Sequence, residues 1–339
     1  MVRQRVTAGV GAVILVAVVF ALNFYQLPVV ALSPGPTEDV LARIKVRGRT
    51  PVYESKGQLY LTSVGIDDNV RFYEALLDLA NPDVQMLPRA RLYPEGDSSE
   101  EIDRRNAVDM DDSKLNATVV ALRELGYKVN PSGTQVVDVA RGAPADGRLR
   151  AGDEIVRVDD RPVSSLAEVQ QAIARHQPGE QVRLQVRRGK AQVDVTVGTR
   201  ASPEPPTRPQ VGVVLRDEFQ DLPVDLTIDT ENIGGPSAGL MFALSIIDKL
   251  TPQDLTAGRK IAGTGEISLE GEVGRIGGLA EKLIAARRQG ATVFLVPAGN
   301  CEEARRTAPT GLRLIRVATL DDALRFLRQD PTTASAPSC

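Results

Sequence analysis

Gly235-Pro-Ser-Ala-Gly239 sets a serine between two glycines in the G-x-S-x-G pattern, a tight turn that exposes a hydroxyl at a helix start. Leu240, Ala243, Leu244 and Ile247 then recur on one helical face, and Pro252 closes the run. Ser237 is thereby expected at a helix N-terminus, where free backbone N–H groups and the helix dipole stabilise a developing oxyanion. Gly235, Pro236 and Gly239 are the expected turn or oxyanion segment. A serine hydroxyl needs a base, and an α/β-hydrolase order requires a histidine after the serine. The chain holds one histidine, His176, and it comes earlier. Lys282 is the remaining candidate: in Gly278-Leu-Ala-Glu-Lys-Leu-Ile-Ala-Ala286 it lies i+3 from Leu279 and beside Leu283 and Ala286, on the apolar face. An ammonium held against hydrocarbon loses hydration, which lowers its pKa and supplies a neutral amine near neutral pH. The same residues also fit a glycine turn capped by serine, and a lysine whose stem packs while its head reaches water.

Composition narrows the remaining chemistry. With 41 basic and 44 acidic side chains in 339 residues, net charge −3, the chain offers no global positive field for nucleic acid. Two cysteines, Cys301 and Cys339, cannot build a thiolate zinc site, and one histidine excludes an HExxH metal site. No metal and no cofactor is expected, and nothing in the spacing decides whether the two cysteines pair. No GxxxxGK[ST] segment is present, so the phosphate cradle of an ATPase is absent from these residues.

Between Tyr127 and Gly198 the texture changes to short strands around one helix. Val136, Val137 and Val139 suggest a strand, and Ile155 to Val158 another. Ser165-Leu-Ala-Glu168 is a capping box opening a helix with Leu166, Val169 and Ile173 on one face. Val182, Leu184 and Val186 alternate, Arg188-Gly189 turns, and Val193, Val195 and Val197 alternate back as a closing hairpin. Gly133-Thr-Gln-Val-Val-Asp-Val139, Ala143-Pro-Ala-Asp, Leu149-Arg-Ala-Gly-Asp-Glu-Ile155 and Asp159-Asp-Arg-Pro-Val163 together resemble a PDZ domain of the bacterial protease-associated type. The resemblance implies a groove between the strand Thr134 to Val139 and the helix from Leu166. There an extended peptide adds as a strand against Gly133, Thr134, Gln135, Val136, Val137, Leu166 and Val169. A spacer with a closed groove is the alternative, and His176 reads as an ordinary surface or capping residue.

A second resemblance covers the C-terminal part. Gly234-Gly-Pro-Ser-Ala-Gly239, Gly263-Thr-Gly-Glu-Ile-Ser-Leu-Glu-Gly-Glu-Val273, Ile276-Gly-Gly-Leu-Ala-Glu-Lys282 and Val293-Phe-Leu-Val-Pro297 look like the proteolytic domain of Lon-type proteases, from about Val211 to Leu327. The resemblance implies Ser237 as nucleophile, Lys282 as general base of a Ser-Lys dyad, Thr264 as a dyad-supporting hydroxyl, and assembly as a homo-oligomer, a hexamer by analogy. One departure stands out: many full-length Lon enzymes carry an acidic residue where Gly234 stands here.

At the N-terminus, Arg3 and Arg5 precede an apolar run from Ala8 to Leu22 that resumes from Leu27 to Leu32, which reads as an uncleaved transmembrane helix in contact with membrane lipid, with a cleaved signal segment or a buried core helix as the alternatives. Basic residues inside place the remaining chain outside the cytoplasm, in a single-pass cell-membrane arrangement. Ser33-Pro34-Gly35-Pro36 reads as the exit turn, Gly57 to Val64 as a strand, Glu95 to Asp112 as loop, and Ser113 to Leu125 as a helix stopped by Gly126.

The expected organisation is residues 1–32 anchor, 33–126 the first part of a split Lon-type domain, 127–200 PDZ domain, 201–210 Pro-rich linker, 211–329 Lon-type proteolytic domain and 330–339 tail. The expected fold class is a mixed α/β Lon-type proteolytic domain plus a small β-rich PDZ domain, with an N-terminal transmembrane helix. The expected function is an ATP-independent serine endopeptidase acting on proteins with accessible extended segments or C-termini. A catalytically silent PDZ adaptor is the alternative.

Overall fold

The computed structural model describes residues 26–93, 99–202, 207–230, 233–329 and 338–339. The chain divides into two compact units, Met1–Gly126 with Val224–Cys339, and Tyr127–Pro223.

A six-stranded sheet forms the centre of the first unit. Arg313–Val317, Val293–Pro297, Lys260–Gly263 and Gln58–Asp67 lie side by side in parallel, and Val29–Asp39 and Gln85–Pro88 continue the sheet antiparallel. Val293–Pro297 is buried at every position, which explains its continuous apolar sequence in place of alternation. Leu59 and Leu61 face a core shared with Phe242, Leu244 and Phe326, from the helices Gly239–Leu250 and Leu320–Leu327. Tyr60, one residue out of phase, faces the opposite core of Leu279, Leu283 and Phe294 under the helix Leu279–Arg288.

Three expectations are corrected here. The first concerns the fold class: the apolar stretch Leu27 to Leu32 is not the end of a transmembrane helix. Val29–Asp39 is instead a strand paired on both sides, with Gln58–Asp67 and Gln85–Pro88. Among the described residues no helix is long and apolar enough to cross a membrane. The run Ala8 to Leu22 lies outside the described residues. A buried strand and a short stretch of apolar helix share one sequence signature, so periodicity alone misassigns it. Second, Ser33-Pro34-Gly35-Pro36 sits inside that strand, where the register shifts between Pro34 and Thr37. A bulge accommodates prolines that a regular ladder refuses, and Gly35 lets the backbone lie against Ser63, whose atoms a Cβ would meet at 2.6–2.8 Å.

The third correction concerns the segment expected as loop up to Asp112, which is helical from Ser99 onward in Ser99–Glu124. In its C-terminal half the expected helix is present: of the apolar positions Leu115, Val119, Leu122 and Leu125, Val119 and Leu122 are fully buried and the other two partly so, while Ala117, Val120 and Ala121 enter the core beside Phe242. Its polar N-terminal half has no stripe for a periodicity argument to find.

The second unit is a sheet in the order Val213–Glu218, Gly133–Val139, Glu154–Val158, Gln181–Arg188, Ala191–Gly198, packed on the helix Leu166–Ile173 through Val136, Ile155, Val169 and Leu184. Ser165 Oγ accepts from the Glu168 N–H as a cap. The Glu168 carboxylate accepts mainly from the N–H and hydroxyl of Ser164, one residue before the cap. The ends of the Pro-rich segment form a small ladder, Arg200–Ala201 with Pro209–Gln210, and residues 203–206 lie outside the described residues. Cys339 is disulfide-bonded to Cys301, and residues 330–337 of the tail are not among those described.

Candidate active site

The helix Gly239–Leu250 is buried from Gly239 to Asp248, and its N-terminus ends on the turn Gly235 to Ala238. Each glycine has a separate reason to be there. Gly235 has φ +86°, a left-handed conformation that strains any residue with a Cβ, and a Cβ on Gly239 would lie 2.8 Å from Ile267 Cγ2 and 2.9 Å from Ser113 Oγ. At Gly234 a Cβ would meet Asn106 Cβ at 3.0 Å, so any larger residue there requires Asn106 to give way. The turn is held from behind by Ser99–Glu124: the Gly235 N–H donates to Asn106 O (2.8 Å) and Ser113 Oγ donates to Pro236 O (3.0 Å). With the Gly235 N–H engaged, Pro236 lacking one, and the Gly239 N–H directed at Pro236 O (3.4 Å), these three residues build the turn and do not aim donors outward.

Lys282 Nζ lies 2.6 Å from Ser237 Oγ and 3.1 Å from Thr264 Oγ1. Thr264 Oγ1 in turn donates to Ser237 O (2.9 Å), and the Gly265 N–H donates to the same carbonyl (2.8 Å). Thr264 is fully buried, so its hydroxyl is spent on holding the lysine and the serine backbone together. Lys282 is only 3% exposed, between Leu279 and Leu283 on its own helix. Burial pulls its pKa down from 10.5 to about 8, with Glu266 acting weakly in the opposite direction. The Glu266 carboxyl is itself held above its ordinary value by burial and by Asp109.

Ser237 and Lys282 open into a cavity of about 760 Å³, walled by Thr62 and Val64 of one strand, Met110 of Ser99–Glu124, and Ile276. Lys260–Gly263 pairs with Gln58–Asp67 only as far as Leu61, so from Thr62 onward that strand edge borders the cavity instead of a neighbour strand. An unpaired strand edge beside a nucleophile accommodates an extended peptide chain.

The sequence-derived site residues therefore separate. Ser237, Lys282 and Thr264 converge on one point, while Gly235, Pro236 and Gly239 shape the turn. Gly133, Thr134, Gln135, Val136 and Val137 belong to the second unit and lie in the interior of its sheet. Val213–Glu218 pairs along one edge of their strand, and Glu154–Val158 occupies the other, so the expected groove against this strand is corrected: its edge is filled. The free edge facing the helix of Leu166 and Val169 belongs to Val213–Glu218. A strand arriving from nearly eighty residues downstream leaves no local trace in the sequence around Gly133. Asp217 connects strand and helix, its Oδ1 accepting from Leu166 N–H and from Thr134 Oγ1. His176 pairs with Asp159 and Glu180 within the same unit.

Three residues near the lysine and serine escaped the sequence reading: Asn106, Ser113 and Asn300. Asn106 lies in the helix half read as loop, Ser113 opens the segment read as helix but carries no role in that reading, and Asn300 follows a recognised strand with nothing but its polarity to mark it.

Residues 110–199 match the family described as PDZ domain, and residues 221–328 match the Lon protease (S16) C-terminal proteolytic domain. A Lon protease of Neorickettsia sennetsu is 41% identical over 102 residues, 29% of this chain and 12% of the relative. The Lon protease of Vibrio parahaemolyticus is 38% identical over 119 residues, 34% of this chain and 15% of the relative. The chain thus spans 12–15% of the length of these relatives. Among solved structures, the PDZ domain of an SdrC-like protein from Listeria monocytogenes is 26% identical, covering 26% of this chain and 93% of that one at a TM-score of 0.24. These matches identify a PDZ domain and a Lon-type serine-peptidase domain within one chain.

Proposed function

We propose that the protein is a serine endopeptidase that uses a Ser237–Lys282 dyad, acts without ATP, and selects protein substrates partly through its PDZ domain. One observation carries this reading: a buried lysine, its pKa lowered to about 8, stands 2.6 Å from a serine hydroxyl at a helix N-terminus. In the neutral state Lys282 Nζ accepts the Ser237 proton as Oγ attacks the peptide carbonyl carbon. The resulting ammonium returns the proton to the leaving amine. A water molecule, deprotonated by the same amine, then releases the acyl group from Oγ. Thr264 keeps the amine from rotating away.

Substrate enters as an extended chain along the edge beyond Leu61, and the PDZ domain receives a second extended segment at the free edge of Val213–Glu218. The Cys301–Cys339 disulfide supports a setting outside the cytoplasm, since such bonds persist in oxidising compartments.

The test is hydrolysis of a fluorogenic peptide library by the full chain without nucleotide. Ser237→Ala and Lys282→Ala each bring turnover to background while the fold persists, because nucleophile and base act as a unit. Wild-type turnover in either variant would remove the dyad, and a folded wild type that binds peptides without cleaving any would make the chain an adaptor.

A further inference from the structure

Lys282 reaches Ser237 only if the helix Leu279–Arg288 starts in the right place, and that start is unusual. The helix has no side-chain cap, and its N-cap Gly278 is left-handed, with φ +65°. Gly278 also lies so close to Val64 that a Cβ would stand 2.5 Å from Val64 Cγ2. The approach segment Arg275 to Gly277 has to be fixed by something else, because Ile276 and Gly277 line the cavity and a loop free to shift would carry the lysine with it.

Asn300 fixes it. Its side chain is 1% exposed; Oδ1 accepts from the Ile276 N–H (3.0 Å) and Nδ2 donates to Ile276 O (2.9 Å). One amide thereby satisfies both backbone groups of one residue, as a neighbouring strand would. Nδ2 also donates to Glu303 Oε2 (3.2 Å), which sets the orientation of the amide. Beside it, Gly299 gives the Arg275 side chain room to lie flat: a Cβ there would meet Arg275 Cγ at 2.3 Å. From Ile276 the chain reaches Lys282 through a single helical turn, whose Lys282 N–H donates to Gly278 O (3.2 Å).

We propose that Asn300 is a positioning residue for the Ser237–Lys282 pair, holding Ile276 so that the lysine-bearing helix begins where its amine meets the serine hydroxyl in a dry site. The inference rests on the endopeptidase reading for its kinetic consequence but not for its chemical one. A loosened Ile276 lets water to the amine, and a hydrated lysine recovers an ordinary pKa. Near-attack geometry is equally sensitive, since a displacement of about 1 Å can cost about a hundredfold in rate.

Asn300→Asp is the sharpest probe. It keeps the volume and the acceptor for the Ile276 N–H, removes the donor for Ile276 O, and sets a carboxylate against Glu303. Two readouts on the full chain separate positioning from mere stability. One is the pH dependence of Lys282 acetylation by acetic anhydride, followed by mass spectrometry, which needs no turnover. The midpoint is expected near 8 in the wild type and moved toward 10.5 in Asn300→Asp. The other is hydrolysis of a peptide that wild type cleaves and Ser237→Ala does not: kcat falls about tenfold to a hundredfold with KM within about twofold. Asn300→Ala is expected to act in the same direction and more strongly; where it does not fold, Asn300→Asp carries the test. An unchanged Lys282 midpoint together with unchanged kcat would overturn the proposal, as would a loss of rate that vanishes on cooling with the midpoint still near 8. A wild type that cleaves nothing while the Lys282 midpoint still moves would count against the endopeptidase reading and not against the clamp.

Discussion

Asp153 in one unit and Lys282 in the other are both buried ionisable side chains, and the two units treat them in opposite ways. In the PDZ unit Asp153 is 1% exposed, and Arg188 grips it with two bonds of 2.7 Å while the Arg150 N–H adds a third at 2.9 Å. Burial alone would raise the Asp153 carboxyl, but these donors overcome it and hold the pKa below the usual value. In the Lon-type unit Lys282 is as deeply buried, yet its neighbours are two hydroxyls, and no carboxylate forms an ion pair with it among the described residues. A buried charge that is fully paired stays charged and holds a scaffold together. One that is left without a close counter-ion gives up its proton at a lower pH than a free lysine, and there chemistry becomes available.

Removing one partner of the pair is expected to destabilise. Asp153→Asn leaves the partly exposed Arg188 without its counter-ion and costs the PDZ unit about 1–3 kcal/mol. Hydrogen exchange across Gln181–Arg188 and Ala191–Gly198 reads this directly. Because the folded carboxyl is depressed, the wild-type contribution is present above the unfolded pKa and lost as pH falls through the folded one. The comparison breaks if Asp153→Asn leaves exchange unchanged.

Lys282→Met should move stability the other way. The folded lysine pKa lies below 10.5, so below about pH 8 the wild type carries the cost of an ion forced into a dry site. Removing it stabilises the Lon-type unit by up to roughly 3 kcal/mol there, with the gain fading between pH 8 and 10.5. Thermal unfolding at pH 7 and pH 10.5 measures the difference, and a variant less stable than wild type at pH 7 would contradict an unpaired, desolvated amine.

The parts of the site written in the sequence are those with a local period. Lys282 falls on the same face as Leu279, Leu283 and Ala286, and all three neighbours are buried. The G-x-S-x-G spacing likewise marks the turn, because a positive φ and a close approach each demand glycine at a fixed offset. What was not legible depends on partners distant in the chain. Leu27 to Leu32 looks like the continuation of an apolar helix until Gln58–Asp67 and Gln85–Pro88 pair with the strand Val29–Asp39. Val213–Glu218 fills an edge that the sequence around Gly133 leaves open, Asn106 and Ser113 act on backbone groups more than a hundred residues away, and Asn300 acts on one 24 residues away.

A smaller test probes the local signal where the reading and the structure nearly agree. Ser165→Ala removes the N-cap side chain of Leu166–Ile173 and is expected to cost about 1 kcal/mol, because its Oγ accepts from the Glu168 N–H while Asp217 serves only the Leu166 N–H. Denaturant unfolding of the full chain checks it. A cost near zero would show that Glu168 with Ser164 already suffices to start the helix.

The most direct test of the central claim, that an unpaired buried lysine activates Ser237, is the pH dependence of its reaction with a fluorophosphonate, followed by intact mass and peptide mapping. The account predicts one adduct, on Ser237, forming at a rate that rises with pH through a midpoint near 8 and collapses in Lys282→Met. An adduct on another residue, or a Lys282→Met rate equal to that of the wild type, would contradict it.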